Sequence, residues 1–121
     1  MTMMIIGALA LTLFQLWLLP AGLSASNMAY MLSSRDNPPP QTLIQQRTAR
    51  AGANLMESLP AFLALCLLAI IQQVDLTQAA GAWLLLRVVY IPCYLFNIVY
   101  VRSLVWLGSL ACLIYMAVEL V

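Results

Sequence analysis

Apolar residues dominate four stretches of the chain, and polar residues cluster in the short segments between them. The stretches run over Met3–Ala25, Thr42–Gln73, Leu76–Tyr100 and Ser103–Val121. Each is close to or above the roughly 20 residues that carry a helix across a bilayer. The pattern predicts an all-α integral membrane protein, one domain over residues 1–121, folded as a four-helix bundle. The first stretch has no charge before Arg35 and no basic leader, and its apolar run exceeds that of a signal peptide. The second starts amphipathic near Thr42 and turns continuously apolar from Ala61 to Ile71. The third is interrupted by Arg87 and Pro92, where a kink is expected.

The connections have their own chemistry. Ser33 to Pro40 is polar and proline-rich and cannot continue a helix. Gln72-Gln73-Val74-Asp75 reads as a tight turn, with Asp75 beside the start of the third helix, where a negative charge suits the helix dipole. The last connection is expected around Asn97 to Arg102.

Composition narrows the class. The chain is 64% hydrophobic and 7% charged, with a mean hydropathy of +0.97, whereas soluble domains carry about 25% charged residues. A net charge of +1 without a basic patch gives no attraction to nucleic acid. The absence of histidine removes the commonest general base and metal ligand together. Cys66, Cys93 and Cys112 lie inside apolar stretches and form no CxxC motif, which suits small buried hydrophobes rather than metal ligands or disulfides. No metal site is expected. There is no glycine-rich phosphate loop and no Ser/His/Asp set.

Arginine placement argues orientation. The first and third connections share one side and hold Arg35, Arg47 and Arg102, while the opposite side has Asp75 and Glu119. The positive-inside rule then puts the arginine-bearing loops in the cytoplasm and both termini outside it.

The candidate chemistry sits on two helical faces. Arg47, Arg50, Asn54 and Glu57 are spaced 3, 4 and 3 apart, which sets them on one side of a helix. Such a face cannot look into lipid, where a central charge costs at least roughly 2.5–3.5 kcal/mol. Arg87, Tyr90 and Tyr94 form a second face in the third stretch, which Asn97 continues. If the two faces meet, they enclose a pocket with charges of both signs, suited to a zwitterionic or polyanionic small molecule. The bland alternative is a single arginine–glutamate pair that locks helix packing. Glu57→Gln and Arg50→Ala are each expected to weaken binding of that small molecule, since each leaves a buried partner unpaired. Trp83, Tyr100, Trp106 and Tyr115 read as interface or packing residues. Gly7, Gly81 and Gly108 read as points of close helix contact.

The sequence Arg47-x-x-Arg50-Ala51-x-x-Asn54-x-x-Glu57-x-x-Pro60, followed by Arg87-x-x-Tyr90-x-x-x-Tyr94 and Arg102, resembles the MAPEG superfamily over essentially the whole chain. Its members are membrane-associated proteins in eicosanoid and glutathione metabolism. Arg35-Asp36-Asn37-Pro38-Pro39 resembles the prokaryotic branch, which implies a bacterial inner membrane. The resemblance implies a homotrimer with a glutathione site between subunits, of the microsomal glutathione transferase type. On that reading Arg50, Asn54 and Glu57 bind the peptide's charged groups, with help from Arg47, while Arg87, Tyr90 and Tyr94 complete the pocket. Arg102 is then the catalytic arginine that stabilises the thiolate for attack on a lipophilic electrophile or hydroperoxide. Ser58 stands where some animal members carry a tyrosine. Two alternatives stand beside the transferase or peroxidase reading. One is a non-catalytic lipid-binding or adaptor protein of the same fold. The other is a small multidrug exporter, disfavoured because such exporters rely on a glutamate in a first span that here carries no charge.

Overall fold

In the computed structural model, residues 1–23, 32 and 42–121 are described. The Ser33–Pro40 connection, Arg35 and Asp36, and the predicted end of the first span at Ala25 lie outside the described residues. Among the described residues, four helices are long and apolar enough to cross a membrane: α1 (Thr2–Leu23), α2 (Leu43–Gln72), α3 (Thr77–Leu95) and α4 (Val99–Leu120). Within α1, Phe14–Leu18 winds as a π-helix. This widened turn lies just ahead of Pro20, whose ring nitrogen cannot donate to the preceding turn.

The helix ends show how each element starts and stops. Thr42 accepts from the backbone of Gln45 at 3.2 Å while the Gln45 side chain accepts from Thr42 N at 2.9 Å, a reciprocal cap that opens α2. Gln73 ends α2 in the left-handed region (φ 58°), and Val74 N returns to the Ala69 carbonyl at 2.9 Å. The expected turn before Asp75 is therefore present. The Asp75 carboxylate accepts from Thr77 N at 3.1 Å and from its hydroxyl at 2.7 Å, which holds the acid below its ordinary value of 3.8.

The end of α3 departs from the expectation. The third span was predicted to reach Tyr100, with Asn97 on its polar face, but α3 stops at Leu95 and α4 already begins at Val99. Asn97 adopts φ 57°, a conformation its short amide side chain tolerates better than most. Backbone donors then cover the freed carbonyls: Phe96 N reaches Pro92 O at 3.0 Å and Ile98 N reaches Cys93 O at 2.9 Å. Arg47 covers another, its Nη1 donating to the Leu95 carbonyl at 3.1 Å. Carbonyls left over at a helix end need partners, so the arginine helps decide where the helix ends.

The core is a column of interdigitated side chains. Leu55, Leu59, Phe62, Cys66 and Ala69 recur every three to four residues along α2 and meet Ala80 and Trp83 of α3 and Leu113 and Met116 of α4. Phe62 and Trp83 stack with ring centroids 3.9 Å apart and planes 11° from parallel. In lipid such packing, rather than escape from water, holds helices together. Gly108 admits Leu86 and Gly7 admits Leu84, but the closest approach is at Gly52, where an added Cβ would lie 2.6 Å from Leu16 Cδ2. Hydroxyls inside the spans are satisfied by their own helices, as when Thr48 donates to Ile44 O and Thr12 to Ala8 O, each at 2.8 Å.

Candidate functional site

Three helices open onto one cavity of about 670 Å³. From α2 come Arg50, Ala53, Asn54 and Glu57; from α3, Tyr90 and Tyr94; from α4, Arg102, Ser103, Trp106 and Leu107. The α2 residues reach it together because positions 50, 54 and 57 share a helical face, with seven residues or about 10 Å of rise between the outer two. The α4 residues reach it by the same logic. Trp106 follows Arg102 by one turn and Leu107 follows Ser103 by one turn, so the wall grades from polar to apolar along α4.

Of the residues singled out from sequence, Arg50, Asn54, Glu57, Tyr90, Tyr94 and Arg102 line this cavity. Arg47 and Arg87 do not. Arg47 is spent on the Leu95 carbonyl at the end of α3. Arg87 lies behind the wall, 1% exposed, with Nη1 donating to Asn54 Oδ1 at 2.9 Å. Its guanidinium sits 4.6 Å from the Tyr90 ring centroid and 6.0 Å from that of Trp83. The two predicted faces thus do meet, and the contact that joins them is the Arg87–Asn54 hydrogen bond.

Arg50 and Glu57 form no ion pair with each other among the described residues. Both side chains are exposed in the single chain, and neither has an ion-pair partner among the described residues. Spacing by seven on one helix holds their backbones about 10 Å apart, while the cavity between them stays open. Arg102 is held differently, its guanidinium lying 4.8 Å over the Tyr94 ring. Tyr94 in turn packs against Tyr90 at 5.6 Å, with the rings tilted by 58°.

Ser103, Trp106 and Leu107 escaped the sequence reading, which took Trp106 as an interface or packing residue. The signal was available in principle. Had α4 been started at Val99, helical spacing from Arg102 would have pointed to Trp106 at once.

A family model described as the MAPEG family matches residues 2–121, nearly the entire chain. The chain belongs to the MAPEG family. No curated protein and no solved structure matches it significantly. As a MAPEG protein it sets Arg50, Asn54 and Glu57 of its α2 signature on the cavity wall, and its four apolar helices make it an integral membrane protein. Cys66, Cys93 and Cys112 are free thiols set away from that wall.

Proposed function

We propose that this MAPEG protein is a glutathione-dependent transferase or peroxidase of the microsomal glutathione transferase type, from the prokaryotic branch, acting on lipophilic electrophiles or hydroperoxides. The observation that carries the reading is the convergence of Arg50, Asn54, Glu57 and Arg102 on one cavity that Trp106 and Leu107 also line. Glutathione has two carboxylates, one ammonium and one thiol. Arg50 and Asn54 suit its carboxylates and carbonyls, and Glu57 suits the ammonium. Bound there, glutathione supplies the sulfur nucleophile. A free thiol ionises near pH 8.5, and a fixed cation favours the anion. Arg102 is the candidate for that cation, because a guanidinium stabilises negative charge without acting as a base. Trp106 and Leu107 offer the electrophile an apolar approach next to Arg102. The protein's contribution is positioning and charge stabilisation.

The same exposure argues for an assembly. Arg50 and Glu57 stand exposed on a cavity left open in a lone protomer, and a charge near the bilayer centre costs roughly 2.5–3.5 kcal/mol. A second copy laid over the cavity removes that cost, and a homotrimer with intersubunit sites follows the family resemblance. We further place the arginine-bearing ends of α2 and α4 on the cytoplasmic side of a bacterial inner membrane.

The test is a glutathione titration of detergent-solubilised protein, following thiolate ultraviolet absorbance near neutral pH. Saturable thiolate formation that disappears in Arg102→Ala is expected. Binding without thiolate would move the protein to the adaptor reading, and no binding would end the glutathione reading.

A further inference from the structure

We propose that Arg87 is a positioning residue: it turns the oxygen of the Asn54 amide inward, so that the amide nitrogen donates into the cavity. This rests on the glutathione reading for the identity of the ligand, but the orientation itself follows from the fold.

An asparagine amide can offer a cavity either its acceptor oxygen or its two N–H donors. Arg87 removes the choice. Its Nη1 lies 2.9 Å from Asn54 Oδ1. A guanidinium has only donors and stays charged, so the amide nitrogen cannot take the oxygen's place without setting donor against donor. The demand on that oxygen is strong. Arg87 is 1% exposed, and its Nε and second Nη find no acceptor among the described residues. Asn54 Oδ1 is the one hydrogen-bond acceptor it has there. Aromatic rings fill two other approaches, Tyr90 at 4.6 Å and Trp83 at 6.0 Å. An amide held in this way cannot flip cheaply.

Asn54 also lines the cavity, and its Nδ2 has no protein partner among the described residues. The cavity therefore presents donors from Arg50, Arg102 and Asn54, with Glu57 its single carboxylate. The amide nitrogen takes an acceptor of the ligand, a peptide carbonyl or a carboxylate oxygen. Specificity at this point is set from behind the wall by a residue that does not touch the ligand.

Two substitutions at Arg87 separate positioning from simple packing. Arg87→Lys keeps a group that can only donate and should hold glutathione affinity to within about threefold by titration calorimetry. Arg87→Gln can meet the amide with either end, frees it to turn over, and should weaken glutathione binding by about tenfold or more. Asn54→Asp is the matching test from the other side. It gives Arg87 an anionic partner while taking the donor away, so its melting temperature should equal or exceed the native value as glutathione affinity falls about tenfold or more. Native-like binding in folded Arg87→Gln or Asn54→Asp would overturn the proposal, and so would an Asn54→Asp protein that does not fold. If the native protein itself fails to bind glutathione, the functional reading falls alone. The orientation then stands only if Asn54→Asp melts no lower than native and loses that parity when Arg87→Gln is added.

Discussion

The guanidinium of Arg102 lies 4.8 Å over the ring of Tyr94, so the residue proposed to stabilise the thiolate is seated on a neighbouring helix rather than left free at the cavity mouth. The ring face is negative and holds the cation by its quadrupole, which is worth roughly 0.5–2 kcal/mol depending on desolvation. Tyr94→Phe keeps the face and should retain thiolate formation to within a few-fold, on the order of the hydroxyl's own hydrogen bond. Tyr94→Leu removes the face and should lower the thiolate signal at pH 7 by about threefold or more, an effect of about 0.7 kcal/mol or more. Equal signals from the Phe and Leu variants would show that the ring does not position Arg102.

Arg47 acts at a distance from the cavity. Its bond to the Leu95 carbonyl caps α3 at the point where the chain turns through Asn97 into α4. Arg47→Ala should destabilise the solubilised protein by about 0.5–1.5 kcal/mol, the net worth of one part-buried hydrogen bond. It should also weaken thiolate activation by displacing Arg102. Melting curves and the thiolate titration report the two effects separately. A variant with native stability would mean that water replaces the guanidinium.

Gln15 is a different case. It is 1% exposed on the π-helical part of α1, and both polar atoms of its amide lack partners among the described residues. An unpaired buried amide costs about 1–3 kcal/mol. Gln15→Met keeps the volume and drops the polarity, and should raise the melting temperature. A lower one would show that the amide has a partner in the assembled protein.

Asp75 should give the turn before α3 a weak pH dependence. Its carboxyl is held below 3.8 by the hydrogen bonds from Thr77. A depressed acid contributes stability that is present above its unfolded-state value and lost as pH falls through the folded one. The difference in melting temperature between native and Asp75→Asn should therefore be visible at pH 7 and vanish well below pH 3.8. A difference that persists in acid would assign the effect to the side chain's shape rather than its charge.

Several features were legible because they depend only on local spacing. Four spans follow from where apolar runs break, and the shared face of Arg50, Asn54 and Glu57 follows from helical periodicity. Tyr90 and Tyr94 follow from the same rule. The turn at Gln73 was also legible, since polar residues cluster there. That Trp106 lines the cavity was not legible, because it depends on the start of α4, which lies four residues earlier than apolar runs suggest. That start is set by the left-handed Asn97 and by Arg47 across 48 positions of sequence.

Arg47 and Arg87 mark the boundary most clearly. The sequence by itself determined that both sit on polar helical faces, because the period of a helix fixes directions around its own axis. Only the tertiary structure decided that Arg47 would cap α3 and that Arg87 would lie behind Asn54. How one helix turns toward another is settled by packing, here Phe62 on Trp83 and Leu16 on Gly52. A long guanidinium on such a face bonds whichever acceptor that packing brings within its reach, and no spacing rule within one helix can name it.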